Sequence, residues 1–290
     1  MKKILITGGC GFIGSNLTSY LINKRYKVYI IDNFSKNKVI KPHHNSKVYK
    51  INIKNINQLD KINNIYAIIH LAASADILIS KKNEKKYFED NIAGLQSVLN
   101  FCSIKKINKF IFASSASVYG DTKNMRVKEN FKLKPNHYYG YSKYIGEKMI
   151  QNYSKINKFN YTILRFFNIY GSKSDAVIST FLAQKIQNKL ITIFGNGNQK
   201  RDFLYVDDLC SAIAKVLKND NSNNKIYNLG SGKETSINKI ANLFGGKKIF
   251  IPKRPREPKR SLANISKIKK DINWKPTITI QEGIKRLLKN

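Results

Sequence analysis

Apolar positions in this chain fall into short, nearly unbroken runs separated by longer stretches with helical spacing. Ile4-Leu5-Ile6 is the first run and Val28-Tyr29-Ile30-Ile31 the second. The span Ile13–Ile22 between them places Ile13, Leu17 and Leu21 on one helix face. Lys47–Ile51 predicts a short strand. Ile65–Ala73, Phe110–Ser115 and Tyr161–Phe167 predict further strands. Ile92, Leu95, Val98, Leu99 and Cys102 recur at helical spacing across Tyr87–Ile104, and Tyr139–Tyr153 predicts another helix. Strands alternating with helices give an α/β class with a doubly wound parallel sheet, Rossmann-like in pattern. From about Phe167 the alternation loosens and turn signals become dense: Gly171, Gly195-Asn196-Gly197, Gly230-Ser231-Gly232 and Gly245-Gly246. The expected division is a sheet-bearing domain over 1–167, with a return segment near 199–218, and a smaller, lid-like C-terminal region over 168–290. Pro252, Pro255 and Pro258 make 252–260 an expected irregular segment.

The first strand runs into Thr7-Gly8-Gly9-Cys10-Gly11-Phe12-Ile13-Gly14 and then into the first helix. Glycines at 8, 11 and 14 allow a tight turn and close backbone approach to a pyrophosphate, and the helix N-terminus offers free N–H groups and partial positive charge. Asp32 closes the second strand about 20 residues on, a position suited to the hydroxyls of an adenosine ribose. A carboxylate there repels a 2′-phosphate, so the expected cofactor is NAD rather than NADP; Lys36 and Lys38 nearby soften that preference. In doubly wound sheets ligands lie beyond the carboxyl ends of the strands. Gly8, Asp32, Ala72, Ser115 and Asn168 all fall at such ends, and small residues at the end of 65–73 leave room for a ligand against backbone.

Composition changes this picture little. The chain has 290 residues, 42% of them hydrophobic, enough for a large core. No apolar run approaches the ~20 residues that span a bilayer, and the apolar run before Thr7 is only three residues long, so neither a membrane span nor a secretory signal is expected. The formal charge is +35, from 53 basic and 18 acidic residues. Such a balance points to nucleic acid or a membrane surface, but the lysines are scattered among Asn and Ile, a compositional bias. One compact basic run stands out, Lys253–Arg260. No specific nucleic-acid partner is expected, although the field favours anionic ligands. Cys10, Cys102 and Cys210 lack disulfide or metal spacing, which fits reduced thiols in a cytoplasmic protein. His43-His44, His70 and His137 form no zinc pattern, and no metal is expected.

Tyr139-Gly140-Tyr141-Ser142-Lys143 opens a helix and puts Tyr139 and Lys143 on one face. Oxidising an alcohol requires a group that takes the hydroxyl proton as hydride leaves carbon. A free phenol, with pKa near ~10, is a poor base at neutral pH. A cation about 5 Å away at an effective dielectric of ~20 favours phenolate by roughly 3 kcal/mol, or about two pKa units. Lys143 and a positive nicotinamide ring are the expected sources of that shift, with Ser115 holding the substrate hydroxyl.

With these motifs the chain resembles the NAD-dependent epimerase/dehydratase family of extended short-chain dehydrogenases/reductases, and within it the UDP-glucose and UDP-N-acetylglucosamine 4-epimerases. Further motifs that carry the resemblance are Asp32-Asn33-Phe34-Ser35, His70-Leu71-Ala72-Ala73, Ser114-Ser115-Ala116-Ser117-Val118-Tyr119-Gly120, Leu164-Arg165-Phe166-Phe167-Asn168-Ile169-Tyr170-Gly171, Ile193-Phe194-Gly195-Asn196-Gly197, Arg201-Asp202-Phe203-Leu204-Tyr205-Val206-Asp207-Asp208 and Tyr227-Asn228-Leu229-Gly230. The resemblance implies cofactor contacts from Gly8, Gly11, Phe12, Ile13 and Gly14 at the turn, Asp32, Asn33, Ser35, Asn52 and Ile53 at the adenosine, and Leu71, Ala72, Ala73, Asn91, Ser115 and Phe167 further along. It implies that Tyr139 is the base, that Lys143 binds the nicotinamide ribose, and that Ser115 completes the catalytic set. Ser115, Ser117, Tyr139, Asn168, Arg201, Arg254 and Glu257 are the implied substrate contacts, with arginine forks suited to phosphate oxygens. A solvated basic loop is the alternative for Arg254, and an ion pair with Asp202 or Asp207 the alternative for Arg201.

Departures from the family pattern narrow the expected reaction. Related 4,6-dehydratases carry an Asp-Glu pair in the strand-end motif and decarboxylases a Glu at the position of Ser117, whereas Ala116-Ser117 offers no carboxylate for acid–base elimination. Asn52 replaces an Asp at the adenine contact, and His137-Tyr138 stands where Pro is usual. Ser261 falls where relatives have a bulky Tyr or a small residue, and the small residue implies room for an N-acetyl group. The expected function is a nucleotide-sugar 4-epimerase with NAD as cofactor and a UDP-linked sugar as substrate. Its alternatives are another sugar-nucleotide enzyme of the family or a non-enzymatic NAD- or nucleic-acid-binding protein. A homodimer through helices around 87–104 and 139–153 is also implied, with Met149 and Ile150 either outward-facing or core.

Overall fold

The computed structural model describes residues 1–35, 40–59, 62–76, 83–122, 125–174, 177–253 and 258–289. A seven-stranded sheet is built from β1 (Lys3–Thr7), β2 (Lys27–Asp32), β3 (Lys47–Lys50), β4 (Ile65–His70), β5 (Lys109–Ser115), β6 (Asn160–Phe166) and β7 (Lys225–Leu229). Their order across the sheet is 3-2-1-4-5-6-7, and the pairings from β3 through β2, β1 and β4 to β5 are parallel. Order reverses between β1 and β4, the switch point at which doubly wound sheets open a crevice. The apolar runs are continuous because both faces of the sheet are covered: Ile4, Leu5 and Ile6 are fully buried, as are Ile30, Ile31, Ile68 and Ile69.

Helices α1 (Phe12–Asn23), α2 (Glu84–Phe88), α3 (Gly94–Ile104) and α4 (Tyr138–Asn157) cover this sheet. The helix expected over Tyr87–Ile104 begins earlier, at Glu84, and is interrupted by a π-helical turn at Glu89–Ala93. Helix α4 starts at Tyr138 because His137 Nδ1 accepts a hydrogen bond from Gly140 N, 3.1 Å, and caps the first turn. That cap is what the His in place of Pro provides. Ile150 is fully buried and Met149 packs against the same core, so both belong to the interior.

Two compact units divide the chain, the first of 1–120, 132–165 and 213–227, the second of 121–131, 166–212 and 228–290. In the second unit a sheet joins the strands Glu234–Ser236, Lys200–Tyr205, Arg260–Ala263 and Arg126–Val127. The run expected to be irregular over 252–260 thus ends in a strand whose Arg260 and Ser261 pair with Lys200 and Arg201. Asp202 anchors this sheet. Its carboxylate, fully buried, accepts from Ser231 N and Oγ, Gly232 N and Ala263 N at 2.6–3.1 Å. Burial pushes it up to about 6, and those four donors pull the other way. Among the described residues no helix is long and apolar enough to cross a membrane.

Candidate active site

Beyond the carboxyl ends of β1, β2 and β4 lies a cleft of about 760 Å³, measured with its solvent-open part. The turn after β1 makes its floor. Gly8 has φ +72°, and a Cβ there would stand 2.8 Å from Ala72 N, so only glycine seats the turn against the end of β4. Gly8 N donates to Ile31 O at 2.8 Å, tying the turn to β2. Gly14 acts from behind: its Cβ would meet Gly8 O at 2.2 Å and Gly9 Cα at 2.6 Å. Helix α1 therefore starts in contact with the turn. Its N-cap is Gly11, no side chain caps it and no acidic residue lies in its first turn, which leaves its positive end for an anion. Phe12 and Ile13 open the helix half-buried.

Asp32 forms the adenosine end. One carboxylate oxygen accepts from Cys10 N and the other from Phe34 N, both at 2.9 Å. A carboxylate has about four acceptor sites, so two backbone bonds orient it and leave lone pairs for hydroxyl donors. Asn33, Ser35, Asn52 and Ile53 join Asp32 in lining the cleft, as do Leu71, Ala72 and Ala73 on the opposite wall. Asn52 Oδ1 accepts from Lys54 N at 3.0 Å, so the uncharged residue at this position also caps the turn that follows. Cys10 lines the cleft too, with burial and then Asp32 pushing its thiol up to about 11. Lys36 and Lys38 lie outside the described residues.

Asn91 is placed differently from its neighbours on the cofactor side. Its Oδ1 accepts from Ser74 N at 2.8 Å, and its Nδ2 donates to Ser74 O and Ser142 Oγ at 2.9 Å. The π turn carries both Asn91 and Asp90, and Asp90 accepts from Ser74 Oγ at 2.7 Å. Turns of this kind often mark functional sites. Here the turn fixes the loop after β4, whereas the cleft itself is lined by Ser74 and Asp90. Ser142 Oγ in turn donates to Tyr139 O at 2.8 Å, so Asn91 ties the cleft wall to the start of α4.

Ser115, Tyr139 and Lys143 come together at that start. Tyr139 is half-buried, Ser115 acts on its phenol, and Ser115 Oγ accepts from Ser117 N at 3.1 Å. Lys143 is buried, donates to Ala113 O at 2.8 Å, and sits 5.9 Å from the Tyr139 ring centroid. The chain's own groups leave the phenol raised. Burial raises Tyr139, with Ser115 opposing, and burial pushes Lys143 down to about 7, with Glu147 opposing. Desolvation is the dominant influence on both groups. His70, stacked on Phe112 and bonded to Thr7 Oγ1 at 2.8 Å, is pushed down to about 3 by burial and then by Lys143, and is neutral.

In the second unit Asn168 donates to Asp202 O at 3.1 Å, Phe167 N donates to Leu229 O at 2.9 Å, and Arg201 pairs in register with Ser261. Arg201 Nη1 donates to Lys200 O at 2.9 Å. Asp202 is committed to the donors named above, and Asp207 faces Arg286 at 3.5 Å. Arg254 and Glu257 lie outside the described residues. Sequence reasoning missed Ser74, Asp90, Ser142 and the Glu147–Arg165 pair, all of which act through contacts far apart in the chain.

A glycine-turn cradle with a ribose-side carboxylate, beside a Ser-Tyr-Lys cluster on the same sheet, defines a Rossmann-like α/β protein of the extended short-chain dehydrogenase type. The chain belongs to the NAD dependent epimerase/dehydratase family, whose model matches residues 4–230. It is 36% identical to a putative UDP-glucose 4-epimerase of Methanocaldococcus jannaschii, over 98% of this chain and 97% of that one. Among solved structures it resembles the Thermotoga maritima UDP-glucose 4-epimerase with UDP-glucose, with a TM-score of 0.94, 28% identity and coverage of 99% and 97%. It also resembles the Methanobrevibacter ruminantium UDP-N-acetylglucosamine 4-epimerase in complex with UDP-N-acetylmuramic acid, with a TM-score of 0.92, 30% identity and the same coverage. A Bacillus cereus UDP-glucuronic acid 4-epimerase with UDP-glucuronic acid and NAD aligns at a TM-score of 0.88 and 29% identity, covering 99% of this chain and 98% of that one. Relatives of other chemistry also appear: a Dictyostelium discoideum dTDP-D-glucose 4,6-dehydratase, 35% identical over 81% of this chain and 60% of its own length, and an Arabidopsis thaliana UDP-glucuronic acid decarboxylase, 29% identical over 99% and 69%. NAD is the cofactor, and the cradle fits it: glycine hydrogens where a Cβ would intrude, an uncapped helix end and an oriented Asp32.

Proposed function

We propose that this protein is an NAD-dependent nucleotide-sugar 4-epimerase that inverts carbon 4 of a UDP-hexose or UDP-N-acetylhexosamine. The observation that carries this reading is a Ser-Tyr-Lys cluster whose strand-end turn carries no carboxylate. Tyr139 has Ser115 and Lys143 beside it, while the turn Ala116–Tyr119 that follows β5 holds no carboxylate. Glu147, on the same helix, is bound to Arg165 at 2.7 Å. Elimination or decarboxylation calls for a further acid–base group; reversible removal of one hydroxyl proton does not. Bound NAD supplies a reversible hydride acceptor. Ser115 holds the 4-hydroxyl, Tyr139 takes its proton and later returns it, and Lys143 stabilises the phenolate and binds the cofactor ribose. Asn168 and Arg201, with Arg254 and Glu257, hold the nucleotide diphosphate.

The test is product NMR after incubation with UDP-, dTDP-, GDP- and CDP-sugars. An inverted carbon 4 is expected. A 4-keto-6-deoxy sugar, a pentose or a reduced deoxysugar would assign a neighbouring reaction, and inactivity on every sugar nucleotide would end the enzymatic reading.

Two finer expectations follow. Ser261, paired with Arg201, leaves space at carbon 2, so Ser261→Tyr lowers kcat/KM on UDP-N-acetylglucosamine about tenfold or more, the size of effect a filled pocket produces, and spares UDP-glucose. Equal losses on both substrates would defeat that assignment. The protein is also proposed to be a homodimer through α2–α3 and α4, supported by Phe88, Ile104, Tyr141 and Ile156, which are 50–77% exposed on those helices. Phe88→Glu with Ile156→Glu should halve the mass seen in sedimentation; an unchanged mass places the contact elsewhere.

A further inference from the structure

Behind the base cluster lies a fully buried ion pair that the proposed chemistry does not use. Tyr139, Lys143 and Glu147 occupy successive turns on one face of α4, and each meets a residue at the end of β5. Ser115 acts on the Tyr139 phenol, Lys143 Nζ donates to Ala113 O at 2.8 Å, and Ser114 Oγ donates to Glu147 at 2.5 Å. Glu147 also accepts a two-pronged fork from Arg165 on β6, Nε at 2.9 Å and Nη2 at 2.7 Å. The remaining Arg165 arm donates to Tyr119 OH at 2.8 Å. Glu147 and Arg165 are 1% and 2% exposed.

We infer that Glu147 and Arg165 are positioning residues that hold Lys143 as an ammonium against Tyr139, with the Arg165 fork fixing the Glu147 carboxylate one helical turn from Lys143. This inference rests on the reading of Tyr139 as the base. A carboxyl buried without a partner takes up a proton rather than stay charged, whereas a guanidinium never gives its proton up. Arg165 is thus the partner of the buried carboxylate one turn along α4 from Lys143. Lys143 needs that carboxylate. Burial works against its ammonium, and Glu147 is the group that works for it.

Among the described residues, the other elements packed around Lys143 give no counter-charge. β4 presents neutral His70, β5 presents the Phe112 ring at 4.8 Å and the Ala113 carbonyl, and α4 itself presents the phenol of Tyr139. Tyr139 is faced in addition by the ring of His137, 6.1 Å away, and by the phenol of Tyr87 on α2. Around Glu147 stand Ser114, Arg165 and, through Arg165, Tyr119. The pair thus lies at the far end of a line of charge running from Arg165 through Glu147 and Lys143 to the phenol.

Glu147→Gln keeps the shape and removes the charge, leaving Lys143 near an uncompensated Arg165. Less of it is ammonium at neutral pH, and the Tyr139 phenolate loses its cation. The rising limb of turnover against pH should move up by about one unit, a roughly tenfold loss at neutral pH that recovers in alkaline solution. The ultraviolet titration of the Tyr139 phenolate, isolated by subtracting the same variant with Tyr139→Phe, should move with it. The double variant E147Q/R165M replaces the pair by neutral groups of similar volume, a change buried pairs often tolerate, and should shift in the same direction. Arg165→Lys keeps the cation and should shift less than Glu147→Gln. Folded E147Q or E147Q/R165M with both midpoints unmoved would overturn the inference. Because the titration needs no sugar, unmoved midpoints with carbon-4 inversion intact sink this inference alone, and a moved phenolate midpoint without inversion sinks only the epimerase reading.

Discussion

Tyr139→Phe should lower kcat by about a thousandfold, within the 10²–10⁴ range of a positioned general base, while the protein keeps its NAD and its fold. One oxygen is removed. The ring retains its stacking on His137 and its place over Lys143, and α4 still starts at the His137 cap. Ser115 keeps the bond from Ser117 N. KM should change little, since the lost interaction acts on the proton in flight rather than on the diphosphate. The parent enzyme should gain activity with rising pH, because burial raises the phenol and the working form is the phenolate. Steady-state rates by NMR, with bound NAD measured on the same samples, decide the matter; an undiminished rate in the variant removes Tyr139 from the chemistry.

Much of this site is legible in the sequence because its parts are local. A strand, a glycine turn and a helix are contiguous over Lys3–Asn23, and Tyr139 and Lys143 share a face by spacing alone. The doubly wound class follows from the alternating runs, whereas the 3-2-1-4-5-6-7 order is fixed by which strands pair in the folded sheet. What escaped depends on contacts between distant segments. The π turn at Glu89–Ala93 adds residues to a helix whose apolar positions still recur at three and four, so periodicity runs straight through it. Glu147 and Arg165 lie 18 positions apart in different elements and form a pair only once α4 lies on the sheet. A Coulomb term between Lys143 and the phenol can be written from a spacing, but the desolvation that raises Tyr139 and lowers Lys143 exists only in the folded interior. Arg260–Ala263 becomes a strand because Lys200 and Arg201 are there to pair with it, not because its proline-rich neighbourhood favours one.

The cradle admits an equally sharp test, since two of its glycines should fail in different ways. Alanine is intrinsically the better helix residue by roughly 1 kcal/mol, and Gly14 lies inside α1, so propensity alone makes Gly14→Ala stabilising. Sterics decide otherwise. The added Cβ would stand 2.2 Å from Gly8 O and 2.6 Å from Gly9 Cα, backbone atoms with no side-chain rotamer to yield, and overpacking of this kind costs about 1–3 kcal/mol. Helix α1 must move off the turn, taking its N-terminal amides with it. Gly14→Ala should therefore lower the midpoint of thermal unfolding and weaken NAD binding at least a hundredfold, the loss expected when several backbone contacts to a pyrophosphate go together. Gly11 has φ −79° and ψ 175°, open to any residue, and its Cβ would meet Gly8 O at an ordinary 3.4 Å. That methyl fits the fold, yet Gly11 lines the cleft. Gly11→Ala should leave thermal stability unchanged and still weaken NAD, because the methyl occupies the pyrophosphate's approach. Calorimetric titration and unfolding of both variants separate the cases: full NAD affinity in Gly11→Ala would show that the dinucleotide does not lie on this turn, even if Gly14→Ala behaves as expected.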